Sequence, residues 1–197
     1  MAAFRALERP HVGVPILPGV LAAALIAIAP TGASPRPQQS AAPSADERDF
    51  QSAVADFDAQ RYADADRKLR PLAERLPDNF EVNELLGLVC AAEGQDDRAD
   101  RYLNRAVRLK PAAAAARANL AVHLAHLGKT AAAETEFKKA VELEPASYDA
   151  NHNLGELYLK AGKLTAAIPY LERAQTASPS YENGYDLALA YADTGQP

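Results

Sequence analysis

The chain has 197 residues, 48% apolar, 24% charged and 7% aromatic: enough apolar mass for a buried core, too little aromatic mass for the usual sandwich or barrel. A formal charge of −5 speaks against a binder of phosphate backbones, so nucleic acid is not an expected partner. The single cysteine, Cys90, excludes an internal disulfide framework and any multi-cysteine metal site, which leaves packing to stabilise an alanine-rich helical protein.

At the N-terminus, Arg5 and Arg9 precede an apolar stretch from Val12 to Ala29, followed by Pro30, Thr31, Gly32 and Ala33. Basic end, apolar middle and small residues are the order of a secretory signal, so residues 1–33 are expected to direct export to a periplasmic or secreted location. Pro30 opposes a cut after Ala29, and cleavage after Ala33 would start the mature chain near Ser34. If uncut, the 18 residues 12–29 are long enough to tether the chain in a bilayer core of about 30 Å. Pro15, Pro18 and Gly19 argue against a core helix here. Residues 34–45, SPRPQQSAAPSA, carry too little apolar surface to offset the entropy of ordering and read as a flexible linker.

From there a 34-residue period takes over. Pro77, Pro111, Pro145 and Pro179 share it, as do Ala65, Ala99, Ala133 and Ala167, and Leu69, Leu103, Phe137 and Leu171. Further columns are Leu86-Gly87, Leu120-Ala121 and Leu154-Gly155; Ala106, Ala140 and Ala174; and Gly94, Gly128 and Gly162, with Gln60 in the first copy. Within a unit, two apolar-periodic segments such as 80–93 and 96–109 flank a glycine suited to the left-handed residue that ends a helix. Gly87, Ala121 and Gly155, with Ala99, Ala133 and Ala167, are small where helix axes should approach to about 8–10 Å. Pro111, Pro145 and Pro179 end each second helix.

These columns resemble the tetratricopeptide repeat family, whose motif sets a Leu-Gly pair, a tyrosine, a glycine, two alanines and a proline at these intervals. The resemblance implies an all-α fold, a right-handed α-solenoid of stacked helix-turn-helix hairpins. The units are 46–79, 80–113, 114–147 and 148–180, with a partial repeat or capping helix at 181–197. The first is divergent: Ser52 and Asp56 stand where later units hold leucine and Cys90, Leu124 or Tyr158, and Pro71 should kink its second helix. Tyr185, Leu187, Leu189 and Tyr191 make the last segment apolar for a finished end, so the array is expected to continue beyond Pro197.

Chemistry is sparse along the array. His123 and His126, with Glu134 after them, lack a third ligand at a suitable spacing, and His152 falls about 12 Å out of register at ~1.5 Å per residue. They read as surface or groove histidines, and neither a metal nor a cofactor is expected. Cys90 falls in an inward column and reads as an inert thiol. No nucleophile–base pair or glycine-rich phosphate loop emerges, so the chain is not expected to be an enzyme. Arg98, Arg101, Arg105 and Arg108 form one helical stripe, read as a solvated outer face supported by an Asp97–Arg101 pair.

The resemblance further implies a non-catalytic scaffold whose concave face, lined by the first helices, binds a protein or peptide segment. Asn119 and Asn153, 34 residues apart, are implied to face that groove, where an amide offers a donor and an acceptor together to an extended backbone. Glu84, His126, His152, Glu156 and Lys160 flank them by helical spacing. The groove lacks the lysines and arginine with which some relatives clamp a terminal carboxylate, so an internal segment is expected. The alternative is a helical region of a larger exported enzyme or membrane assembly.

Overall fold

The computed structural model describes residues 44–195. The expected signal, the candidate tether 12–29 and nearly all of the expected linker therefore lie outside the described residues. Within them the chain forms nine helices and no strand: α1 (Ala45–Asp58), α2 (Tyr62–Arg75), α3 (Phe80–Ala92), α4 (Asp96–Leu109), α5 (Ala114–His126), α6 (Thr130–Leu143), α7 (Tyr148–Lys160), α8 (Leu164–Ala177) and α9 (Tyr181–Thr194). None is long and apolar enough to cross a membrane.

Each expected unit holds one antiparallel hairpin, α1 starting a residue before position 46, and α9 stands alone after the fourth. The glycine column supplies the turn inside each hairpin. Gly94, Gly128 and Gly162 all take φ near +70°, and Gln60, the one non-glycine, is forced to φ 58°. The following amide then bonds back five residues, as in Gln95 N to Cys90 O (2.8 Å) and Lys163 N to Tyr158 O (2.9 Å), which satisfies carbonyls at the end of the first helix. Between hairpins, each proline of the 34-residue column comes two residues after the end of a second helix.

Four of the five odd-numbered helices carry a side-chain cap. Ser44, Asn79, Ser147 and Ser180 accept from a backbone N–H in the first turn, while Ala113 before α5 cannot. The helices of a hairpin meet at the small-residue column: a Cβ on Gly87 would lie 2.8 Å from Leu103 Cγ, and one on Gly155 2.7 Å from Leu171 Cγ. The third hairpin carries Ala121 at that position and Phe137 opposite it, both buried.

Odd helices pack against the next odd helix along the array, α1 on α3 through α7 on α9, whereas successive even helices lie farther apart and are bridged by long side chains, as Arg98 of α4 reaches Asp66 of α2. Odd helices therefore form the inner layer of a curved solenoid and even helices the outer. A ladder of ion pairs links successive hairpins: Lys129 Nζ donates to Asp100 (3.2 Å) and, one period on, Lys163 Nζ to Glu134 (3.1 Å).

The divergent first hairpin packs differently. Asp56 is buried in the column of Cys90, Leu124 and Tyr158, and stays charged there because Lys68 and Arg61 (2.6 Å) both donate to it, holding its carboxyl below the usual range. Ser52, exposed, accepts from the same Lys68 ammonium at 2.7 Å. Helix α2 continues through Pro71 to Arg75, and α8 likewise contains Pro169.

Candidate functional site

The inner layer presents one stripe from each odd helix, because side chains three and four positions apart share a helix face. On α3 the stripe runs through Glu81, Glu84 and Leu88; on α5 through Asn119, Val122, Ala125 and His126; on α7 through Asp149, His152, Asn153, Glu156, Leu159 and Lys160. Most are half-buried, while His126 and Lys160 are exposed.

Contacts between helices tie this face together. Asn119 Nδ2 on α5 donates to Glu84 Oε1 on α3 at 3.2 Å. His152 stacks on Tyr148, ring centroids 5.3 Å apart, and its Nδ1 meets Asn183 Oδ1 of α9 at 3.1 Å. The Tyr148 hydroxyl and Ser180 Oγ are 2.8 Å apart across the same junction. Lys160 donates to Glu156 one turn away at 2.7 Å. The donor of Asn119 is thus engaged by its neighbour, while Asn153, one period on, makes no side-chain hydrogen bond within the described residues.

Two groove carboxylates are out of the ordinary. Burial raises the pKa of Glu84, against the hydrogen bond from Asn119 that lowers it, and burial likewise raises that of Asp149 against the pull of His152. Glu81 differs, since Lys110 bonds its carboxylate at 2.7 Å.

Two expectations, on His123 and on the arginine stripe, need correction. His123 is neither a surface nor a groove histidine: it is buried at 4% exposure, in the column of Val89 and Leu157, with its Nε2 3.5 Å from Asp100 on α4. Burial lowers its pKa, so the ring is kept neutral. Glu134, grouped with the histidines in sequence, instead receives Lys138 (2.8 Å), Lys163 (3.1 Å) and the Tyr158 hydroxyl (3.0 Å), and its pKa falls to about 2. No cluster of three or more His, Cys, Asp or Glu suited to a metal forms among the described residues. Along the arginine stripe, Arg98 pairs with Asp66 of the preceding hairpin at 2.7 Å and Arg105 with Asp78 of the connection before α3 at 3.0 Å, and the Asp97–Arg101 pair does not form. Asp66 and Asp78 are placed there by hairpin stacking, which helical spacing within α4 does not reveal. Cys90 is fully buried, and burial pushes its thiol up to about 11, leaving it unreactive at neutral pH.

The apolar part of the groove, Leu88, Val122, Ala125 and Leu159, was not among the expected residues; all four pack partly buried against the core. Their half-exposure follows from the inner-layer geometry, which the sequence pattern does not express.

Residues 50–99, 94–147 and 127–182 each match the model of the tetratricopeptide repeat. The chain belongs to the tetratricopeptide repeat family. Among curated proteins none matches it. Several solved structures share the tetratricopeptide fold. A crystal structure of MamA is 22% identical, with a TM-score of 0.66 over 76% of this chain and 82% of that one. A structure from the functional characterisation of Pseudomonas aeruginosa PilF is 18% identical, with a TM-score of 0.70 over 76% and 69%. The Naa15/Naa10 complex bound to HypK matches at 16% identity and a TM-score of 0.61, over 77% of this chain and 23% of that one.

Tetratricopeptide repeats are, as a rule, non-catalytic interaction modules, and a protein-interaction scaffold is the role this family supports. The stripe from α3 to α7 gives such a scaffold amide, carboxylate and apolar groups on one curved face.

Proposed function

We propose that the array binds an extended internal segment of another protein in the groove of its odd helices, as an exported scaffold. The observation that carries this reading is the packing of odd helix on odd helix, which makes one continuous inner surface of half-buried polar and apolar side chains. Asn153 holds its donor and acceptor ready for one N–H and one C=O of an extended chain. Asn119 shares its donor with Glu84 but keeps its carbonyl oxygen for a backbone N–H. Export rests on the order of residues 5–33; protein recovered outside the cytoplasm should have the mass of a chain starting near Ser34.

Twelve-residue peptides selected from a random display library on the full chain test the groove. Replacing Asn119→Ala together with Asn153→Ala should leave helicity unchanged and weaken the selected peptides at least tenfold, about 1.4 kcal/mol. Unaltered affinity in the folded double variant, measured by calorimetry, would refute the groove reading.

A further inference from the structure

The groove's charges suggest what kind of segment it takes, given the binding mode above. Glu84 and Asp149 are half-buried and neither forms an ion pair within the described residues. Most other half-buried carboxylates of the array have cations: Glu81 holds Lys110 at 2.7 Å, Glu136 holds Arg117 and Lys139 at 2.7 Å each, and Glu134 holds two lysines, while Glu93 accepts from Gln95 at 2.6 Å. A carboxylate that loses hydration without gaining a cation costs free energy, and both groups show it in raised pKa values.

The groove's own cations do not relieve them. Lys110 is taken by Glu81, and Lys160 by Glu156. Lys160 also lies eleven residues beyond Asp149 on α7, about 16 Å along the axis at ~1.5 Å per residue. Between the two carboxylates the 34-residue register sets Ala115, Ala118 and Asn119 of α5, so the inner face there carries no charge, while Leu88, Val122 and Ala125 lie one to two turns further along the helices. Helix α3 touches α5 and α5 touches α7, so Glu84 and Asp149 are separated by two helix contacts, about 16–20 Å. An extended segment covers that distance in about five or six residues at ~3.3 Å each.

We propose that the groove selects an extended segment with two Lys or Arg side chains about six residues apart, one seated on Glu84 and the other on Asp149, with uncharged residues between them. Seating the cations gives each carboxylate the partner that folding leaves out, and the intervening residues cross α5 at Ala115 and Asn119. The net negative charge of the chain draws such a segment in and makes its association sensitive to salt.

The same display library decides this independently of the groove itself. Selected peptides should be enriched in paired Lys or Arg at that spacing. By fluorescence anisotropy they should bind a folded Glu84→Gln/Asp149→Asn variant at least tenfold more weakly, while Glu142→Gln, on the exposed side of α6, leaves affinity unchanged. Acidic or uncharged peptides whose binding still depends on Asn119 and Asn153 would overturn this proposal and leave the groove reading standing. Peptides indifferent to both sets of substitutions, or a library that yields no binding peptide, would overturn both.

Discussion

Adding one methyl group at position 155 probes how a hairpin closes. An alanine Cβ there would lie 2.6 Å from Leu171 Cδ2 and 2.7 Å from its Cγ, but 3.5 Å from its backbone nitrogen, an ordinary contact. The obstacle is therefore a side chain and not the neighbouring helix. Overpacking costs ~1–3 kcal/mol, and alanine returns ~1 kcal/mol of helix propensity relative to glycine. Gly155→Ala should then destabilise the array by up to about 2 kcal/mol. Leu171→Ala alone should cost ~2–5 kcal/mol through the void it leaves. In that background Gly155→Ala loses its close contact and should stabilise by about 1 kcal/mol, giving a coupling of about 1–3 kcal/mol. Position 87 provides the contrast. Its added Cβ would also meet the Leu103 backbone nitrogen at 3.0 Å, so Gly87→Ala should stay destabilising when Leu103 is cut to alanine. Urea unfolding followed by far-UV circular dichroism gives all the differences. Equal effects of Gly155→Ala in the two backgrounds would refute the assigned contact.

Other expectations concern helix ends and titration. Gln60→Gly should raise stability by about 1 kcal/mol, since Gln60 sits at φ 58° where a left-handed residue with a Cβ costs ~1–2 kcal/mol; an unchanged urea midpoint would count against it. Ala113 has the extended backbone of the other caps, φ −80° and ψ 101°, so Ala113→Asn should cap α5 and add about 1 kcal/mol, read as a higher melting temperature. Glu134, with a pKa of about 2 in the fold against 4.5 normally, contributes stability that is complete above pH 4.5 and lost as pH falls towards 2. The stability difference between wild type and Glu134→Gln should therefore shrink from pH 6 to pH 2.5, and a constant difference would remove Glu134 from the acid response.

What was legible in the sequence, and what was not, follows from how a repeat uses its columns. Where each hairpin solves the same packing problem, residue type repeats: Ala99, Ala133 and Ala167 are all fully buried, and Gly94, Gly128 and Gly162 all turn with positive φ. Where geometry repeats but chemistry varies, the period hides the role. Asn83 and Asn151 donate to the carbonyls of Pro77 (2.8 Å) and Pro145 (2.9 Å), and Arg117 does the same for Pro111 through its Nε at 2.8 Å. An arginine among asparagines disguised a column that satisfies the same carbonyl in three successive repeats. His123 was hidden likewise, although its neighbours at 34 residues, Val89 and Leu157, mark that column as core. The inner face is the other extreme. Glu84, Ala118 and His152 share one column, Leu88, Val122 and Glu156 a second, and Ala92, His126 and Lys160 a third, with no common chemistry in any of them. Hairpin packing does not require a particular side chain at these positions, so they are free to carry what distinguishes one ligand from another. The same freedom that left them without a pattern in the sequence makes Glu84 and Asp149 informative, because neither has an ion-pair partner among the described residues although both are half-buried.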